Sequence, residues 1–153
     1  MSSAAARVAA TPAVEDAWRV LGEVLDPEVP ALSICDLGLV RDVRVGERGI
    51  EVVLTPTYNG CPATEVIGDA ARSALETAGL GPATITWQRA PAWTTDWISE
   101  AGLQKLHAYG IAPPGRCGDE QPLRLHPRNI ECPRCGAKHT EQLSAFGSTA
   151  CKA

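Results

Sequence analysis

Apolar residues recur at helical spacing near the start of the chain, where Val14, Ala17, Trp18, Leu21, Val24 and Leu25 form one stripe. Thr11-Pro12 before the stripe, with Glu15 and Asp16 in its first turn, predicts a helix start, because proline suits the first helical position and carboxylates oppose the dipole. Asp26-Pro27-Glu28-Val29-Pro30 ends it, since a residue before proline avoids helical geometry. Two β-like runs follow, Leu39 to Val45 and Ile50 to Thr55, joined by Gly46-Glu47-Arg48-Gly49, a turn that suits a hairpin. Helical spacing returns from Pro62 to about Ala78, with Val66, Ile67, Ala70, Ala71, Ala74 and Leu75 expected inward and Gly79 as the stop. Ala83 to Trp87 alternates as a third strand. Residues 95–109 predict a third helix with Trp97, Ile98, Ala101, Leu106 and Tyr109 on its apolar side and Gly110 at its end.

The order α-β-β-α-β-α predicts an α+β fold, a two-layer domain whose three-stranded sheet is packed by helices, the second helix being the crossover between strands. That domain is expected over residues 12–114. Residues 115–128 are poor in large apolar side chains and rich in Pro, Gly and charge, as a linker is. Residues 129–153 form a small cysteine-containing segment, too short to fold on a hydrophobic core alone, for which a metal staple is the natural support.

Composition narrows the classes. The chain of 153 residues, 44% apolar and 21% charged, has the make-up of an ordinary globular protein with one main domain. It has no apolar run of the roughly 18–20 residues that a membrane span needs. Met1 to Ala10 lacks the basic end and long apolar centre of a secretion signal, so the cytoplasm is the expected location. Residues 116–153 hold six Lys/Arg against four Asp/Glu, net +2, and the preceding 115 residues are net −6, so neither part is suited to nucleic acid. Six cysteines in a reducing compartment point to metal or redox chemistry rather than a disulfide framework.

Cys61 lies between Gly60 and Pro62 at the junction of the second apolar run and the second helix, with Glu65 one turn on. The free amides and the dipole at a helix start stabilise a thiolate, which predicts a lowered pKa and a rigid, solvent-reachable corner. A small buried residue at a helix start explains the same string equally well. Turn formation and capping explain Asp26 and Asp36; a functional account places Asp36 near Cys61. Cys35, between Ile34 and Asp36, reads as a packed thiol. Cys132-Pro133-Arg134-Cys135-Gly136 is a metal-knuckle spacing, with Cys151 as a third candidate and His139, His126 or Cys117 as a fourth. Trp87, Trp93 and Trp97 either anchor the third helix on the sheet or form a partner patch, the anchoring account being the simpler.

Taken in order, Asp26 to Pro30, Ser33 to Val40, Thr57 to Ala63, Pro91 to Ile98 and Gly110 to Pro114 resemble the iron-sulfur-assembly-associated family that includes SufT and the cytosolic iron-sulfur targeting factors. The tail, with Cys132 to Gly136 and Ser144 to Ala153, resembles its PaaD (PaaJ) branch, and the likeness runs from Val14 to the last residue. The resemblance implies a role in aerobic phenylacetate degradation beside the multicomponent oxygenase that epoxidises phenylacetyl-CoA, with oxygenase or reductase subunits as partners. It implies maturation rather than turnover: a transient iron-sulfur cluster or iron at Cys61, alone or shared with a second copy in a homodimer, with Asp36 as the neighbouring acidic residue. Relatives of this kind carry further cysteines in a zinc-ribbon-like tail, so zinc at Cys132, Cys135, Cys151 and His139 is expected only as an incomplete site in a truncated or altered segment.

The residues agree with an accessory component lacking its own active site: the chain has no paired Glu-x-x-His elements, no Gly-x-Gly-x-x-Gly fingerprint and no Gly-x-Ser-x-Gly elbow. Two alternatives compete. A thiol redox enzyme using Cys61 is weakened because Thr57-x-x-x-Cys61 is one residue longer than the peroxide-reducing Thr-x-x-Cys spacing. A non-catalytic structural or docking component needs no reactive thiol.

Overall fold

The computed structural model describes residues 11–115 and 130–141. Three strands form one sheet in the order β1 (Val40–Gly46), β2 (Gly49–Leu54), β3 (Ala83–Trp87). β1 and β2 are an antiparallel hairpin, Val43 opposite Val52, with a register shift between Val40 and Asp42. β2 and β3 run parallel, Val52 opposite Ile85, and parallel neighbours need a crossover, which α2 (Ala63–Thr77) supplies. The alternation on β2 puts Ile50, Val52 and Leu54 inside, where α1 (Pro12–Leu21) adds Ala17 and Leu21 and α2 adds Ile67, Ala71 and Leu75. The α+β architecture predicted from the spacing is therefore the one observed.

The differences have local causes. α1 stops at Leu21, one turn before Leu25, because Gly22 takes the cap and the chain then extends to pair with the Leu32–Ile34 segment. Ile34 N–H donates to the Val24 carbonyl at 2.9 Å and Asp26 N–H to that of Leu32 at 2.8 Å, and Leu25 is left exposed. On α2, Val66 and Ala70 face outward; the inward line is Ile67, Ala71 and Leu75, flanked by Gly68, whose lack of a Cβ leaves room for the Trp87 ring. The third helix is split. Thr95–Trp97 is a 3-10 turn, Ile98 is extended, and α3 begins afresh as Glu100–Tyr109, with Ser99 Oγ accepting from Gly102 N–H at 3.0 Å. This cap sets the phase, so Gly102 and Leu106 point inward while Ala101 and Tyr109 are exposed.

Candidate functional site

The turn before β1 is built around Asp36. Its Oδ2 accepts from Ser33 N–H at 3.0 Å, Ser33 Oγ at 2.9 Å and Lys105 Nζ at 2.7 Å, and Oδ1 accepts from Ser99 Oγ at 3.3 Å. The Asp36 amide donates in turn to Ser33 Oγ at 3.0 Å, and its carbonyl accepts from Ser99 N–H at 2.8 Å. Burial alone would push the carboxyl up, but the hydrogen bond from Lys105, those from Ser33 and the Lys105 charge outweigh it, and the net shift is downward. Ser33 and Asp36 are buried, so an ionised carboxylate there needs these donors. Its side-chain bonds go to Ser33, Ser99 and Lys105, which makes it an anchor for the segment after β3 more than a free base.

That segment grips the turn at further points. Trp93 Nε1 donates to the Leu37 carbonyl at 2.8 Å, and the Arg41 guanidinium lies 3.6 Å from the centre of the Trp97 ring. Gly38 has φ +69°, and a side chain there would strike the Trp97 carbonyl. The anchoring account of Trp93 and Trp97 is the one these contacts support.

Cys61 precedes α2, which begins at Ala63 with Pro62 in the cap position. Its carbonyl accepts from Thr64 N–H at 3.2 Å and Thr64 Oγ1 at 2.8 Å. Gly60, at φ +83°, turns the chain so that Tyr58, Asn59 and Gly60 lie outside and Cys61 inside. Cys61 is only 8% exposed, which corrects the expectation of a solvent-reachable thiol. Thr57 is half-buried and Glu65 exposed. Cys35 is half-buried against the core, and burial, with the Asp36 charge, pushes its thiol up to about 11, as a packed thiol requires. Thr55, which continues β2 toward this loop, is buried and its Oγ1 has no hydrogen-bond partner among the described residues.

Cys132 and Cys135 sit on one tight turn. Gly136 N–H donates to the Cys132 carbonyl at 2.9 Å, Cys132 N–H to that of Ala137 at 3.0 Å, and Gly136 takes φ +71°. The Arg134 and Cys135 amides and the Cys135 side chain hold the Cys132 thiol below the usual cysteine range, the state a metal ligand requires. The donor chemistry therefore suits zinc. Among the described residues no three His, Cys, Asp or Glu side chains gather to hold a metal, so His139 does not join the two sulfurs in such a group. Cys117, His126 and Cys151 lie outside the described residues.

Ser33, Ser99 and Lys105 are the site residues that sequence reasoning missed. Ser99 before Glu100 was a legible cap, but Lys105 carries no local sign of its partner 69 positions away.

The comparisons with known proteins agree with this architecture. The model of the iron-sulfur cluster assembly protein family matches residues 14–87, and that of the PaaD zinc beta ribbon domain matches residues 117–153. A candidate component of the 1,2-phenylacetyl-CoA epoxidase of Escherichia coli (strain K12) is 46% identical over 144 residues, which is 94% of this chain and 86% of that protein. An Fe-S protein maturation auxiliary factor of Porphyromonas gingivalis is 36% identical over 94 residues, 60% of this chain and 89% of its own length. The crystal structure of the domain of unknown function DUF59 from Bacillus anthracis superposes with a TM-score of 0.57 at 26% identity, covering 61% of this chain and 91% of that one. The fold of the first domain is thus that of an iron-sulfur assembly domain, and the sequence of residues 117–153 matches a ribbon-type model. The chain belongs to the PaaD family of iron-sulfur cluster assembly proteins.

Proposed function

We propose that this chain is an accessory factor of iron-sulfur assembly that serves a multicomponent phenylacetyl-CoA epoxidase. Identity of 46% across 94% of the chain to the Escherichia coli epoxidase component is the observation that carries this reading, and the likeness of its first domain to maturation factors supplies the assembly role. The cargo is iron or an iron-sulfur cluster, held transiently at Cys61 and passed to an oxygenase or reductase subunit. Because Cys61 is buried while the Tyr58–Gly60 segment before it is exposed, loading requires a local opening around the thiol, with Gly60 as its hinge. Thr57 and Glu65 flank the thiol in sequence, and Asp36 holds the turn before β1 in place. A homodimer, with one Cys61 from each copy, is the simplest way to complete a shared site.

Cys132 and Cys135 hold zinc as a structural ion, with Cys151 as the third sulfur. Zinc supplies no chemistry in the transfer; it orders the ribbon segment, 129–153, which follows the assembly domain, 12–114, and the linker, 115–128. The factor acts without an active site of its own, in the cytoplasm.

Expression of the epoxidase components with and without this chain tests the reading: iron, sulfide and activity of the partners fall without it and recover when it is supplied. Anaerobic iron titration of wild type and Cys61→Ser tests the thiol, and identical binding with identical client activation would reject it. Cys61 burial gives specific support to a second reading, a docking component that never carries metal. Under that reading Cys61→Ser is silent, while removal of the whole chain disrupts the complex. Thiol-dependent peroxide consumption would instead identify a redox enzyme.

A further inference from the structure

α3 lies between the two matched regions, 14–87 and 117–153, and belongs to neither. Each of its ends meets something specific. At the N-terminal end Ser99 N–H donates to the Asp36 carbonyl at 2.8 Å, and Lys105 Nζ, further along the helix, reaches Asp36 Oδ2 at 2.7 Å. A Cβ added to Gly102 would lie 3.0 Å from the Asp36 carbonyl oxygen, so the helix backbone rests directly on that turn.

At the C-terminal end Gly110, at φ +91°, closes the helix, and Ile111 N–H donates to the Leu106 carbonyl at 2.9 Å. A Cβ added to Gly110 would lie 2.9 Å from Arg134 Nε and 3.2 Å from Nη2. Arg134 stands between Cys132 and Cys135, and its own amide donates to the Cys132 sulfur. A guanidinium at a helix C-terminus meets the negative end of the dipole.

We propose that Arg134 seats the Cys132–Cys135 turn on the C-terminal end of α3, so that metal held by the turn and the Asp36 turn are linked through this one helix. The proposal rests on the reading of Cys132 and Cys135 as zinc ligands. An ion that fixes both sulfurs fixes the direction of Arg134 between them, and so favours the seated arrangement. A helix held firmly by Asp36 presents Gly110 at a constant place, and so favours the loaded turn. The coupling is reciprocal: what α3 contributes to zinc affinity, zinc returns to the docking of α3.

The test uses the full chain with Zn2+ alone as probe, measuring affinity by competition with a chromophoric chelator and the shift in Tm on adding zinc. Arg134→Gln is expected to weaken zinc binding about two- to fivefold and to reduce the Tm shift, while Arg134→Lys keeps most of both. The pair Asp36→Asn with Lys105→Met cuts the other end of the link without leaving a buried unpaired carboxylate. It is expected to weaken zinc binding in the same direction, although neither residue belongs to the cysteine turn. Combined with Arg134→Gln it adds less than the product of the two effects. Equal zinc affinity in all variants overturns the coupling. A wild type that binds no zinc overturns the metal reading as well, so the two failures are distinguishable.

Discussion

The Lys105 ammonium lies 2.7 Å from Oδ2 of Asp36, 69 positions away in the chain, and this pair fastens α3 to the turn that precedes β1. Asp36 is buried and Lys105 half exposed, so the pair costs less to desolvate than one wholly inside, and the Ser33 and Ser99 donors satisfy the remaining oxygen positions.

The depressed carboxyl makes a pH prediction with a definite sign. A group whose folded pKa lies below its unfolded one, here below the ordinary 3.8, adds stability above that value and loses it as pH falls through the folded pKa. Wild type should therefore lose part of its stability to unfolding below about pH 4. Asp36→Asn should be less stable at pH 7, by about 1–3 kcal/mol for the lost charged hydrogen bonds, and should lack that component of the acid loss. Urea unfolding at pH 7 and pH 3 measures both, and parallel losses in the two proteins would refute the assignment.

Gly38 and Gly60 both have positive φ but differ in their surroundings. A Cβ at Gly38 meets the Trp97 carbonyl and lies 2.8 Å from its Cβ, whereas at Gly60 nothing lies within 4 Å. Gly60→Ala should cost only the backbone strain, about 1 kcal/mol, and Gly60→Asn less. Gly38→Ala adds a clash with backbone and should cost about 2–4 kcal/mol, read as a lower midpoint in thermal or urea unfolding. Equal losses at the two positions would mean that the Gly38–Trp97 approach is not tight.

Trp93 offers a separate measure of the same clamp. Its indole N–H to Leu37 is a single part-buried bond, so Trp93→Phe keeps most of the apolar contact and should cost about 1–2 kcal/mol, the bond plus some packing. Arg41→Gln removes the stacking on Trp97 from an exposed side chain and should cost below about 1 kcal/mol. Denaturation midpoints rank them, and the reverse order would place the weight on the cation instead.

How far the sequence reveals this protein depends on the range of each signal. Periodicity and punctuation are local, so β3 is found residue for residue, and Gly79 and Gly110 mark helix ends at the positive φ values they take. The end of α1 is misread because pairing of Val24–Asp26 with Leu32–Ile34 is a tertiary demand that outweighs helical spacing through Leu25. Residues 95–109 look like one helix because Ile98 is apolar and helix-compatible; the bond from Ser99 to Asp36, across 63 positions, breaks it. The string around Cys61 shows a helix start, but its burial is set by tertiary packing, which spacing does not encode.

The cysteines should react in an order set by their surroundings. Cys135 is exposed and Cys132 is held below the usual thiol range, so both should be alkylated quickly in metal-free protein and be protected when zinc is added. Cys35, pushed up to about 11, is thiolate in only roughly one molecule in a thousand at pH 8 and should resist. Cys61 is limited by access, at 8% exposure, and should be labelled slowly in native protein at a rate set by local opening around it. Time-resolved labelling with mass spectrometry of the peptides reads each site separately. Gly60→Pro, which the φ of +83° forbids in the present turn, should distort the loop and speed labelling of Cys61 without changing Cys135. If Cys61 already reacts as fast as Cys135 in wild type, the thiol is accessible in solution, and cargo reaches the sulfur without the rearrangement that its burial otherwise demands.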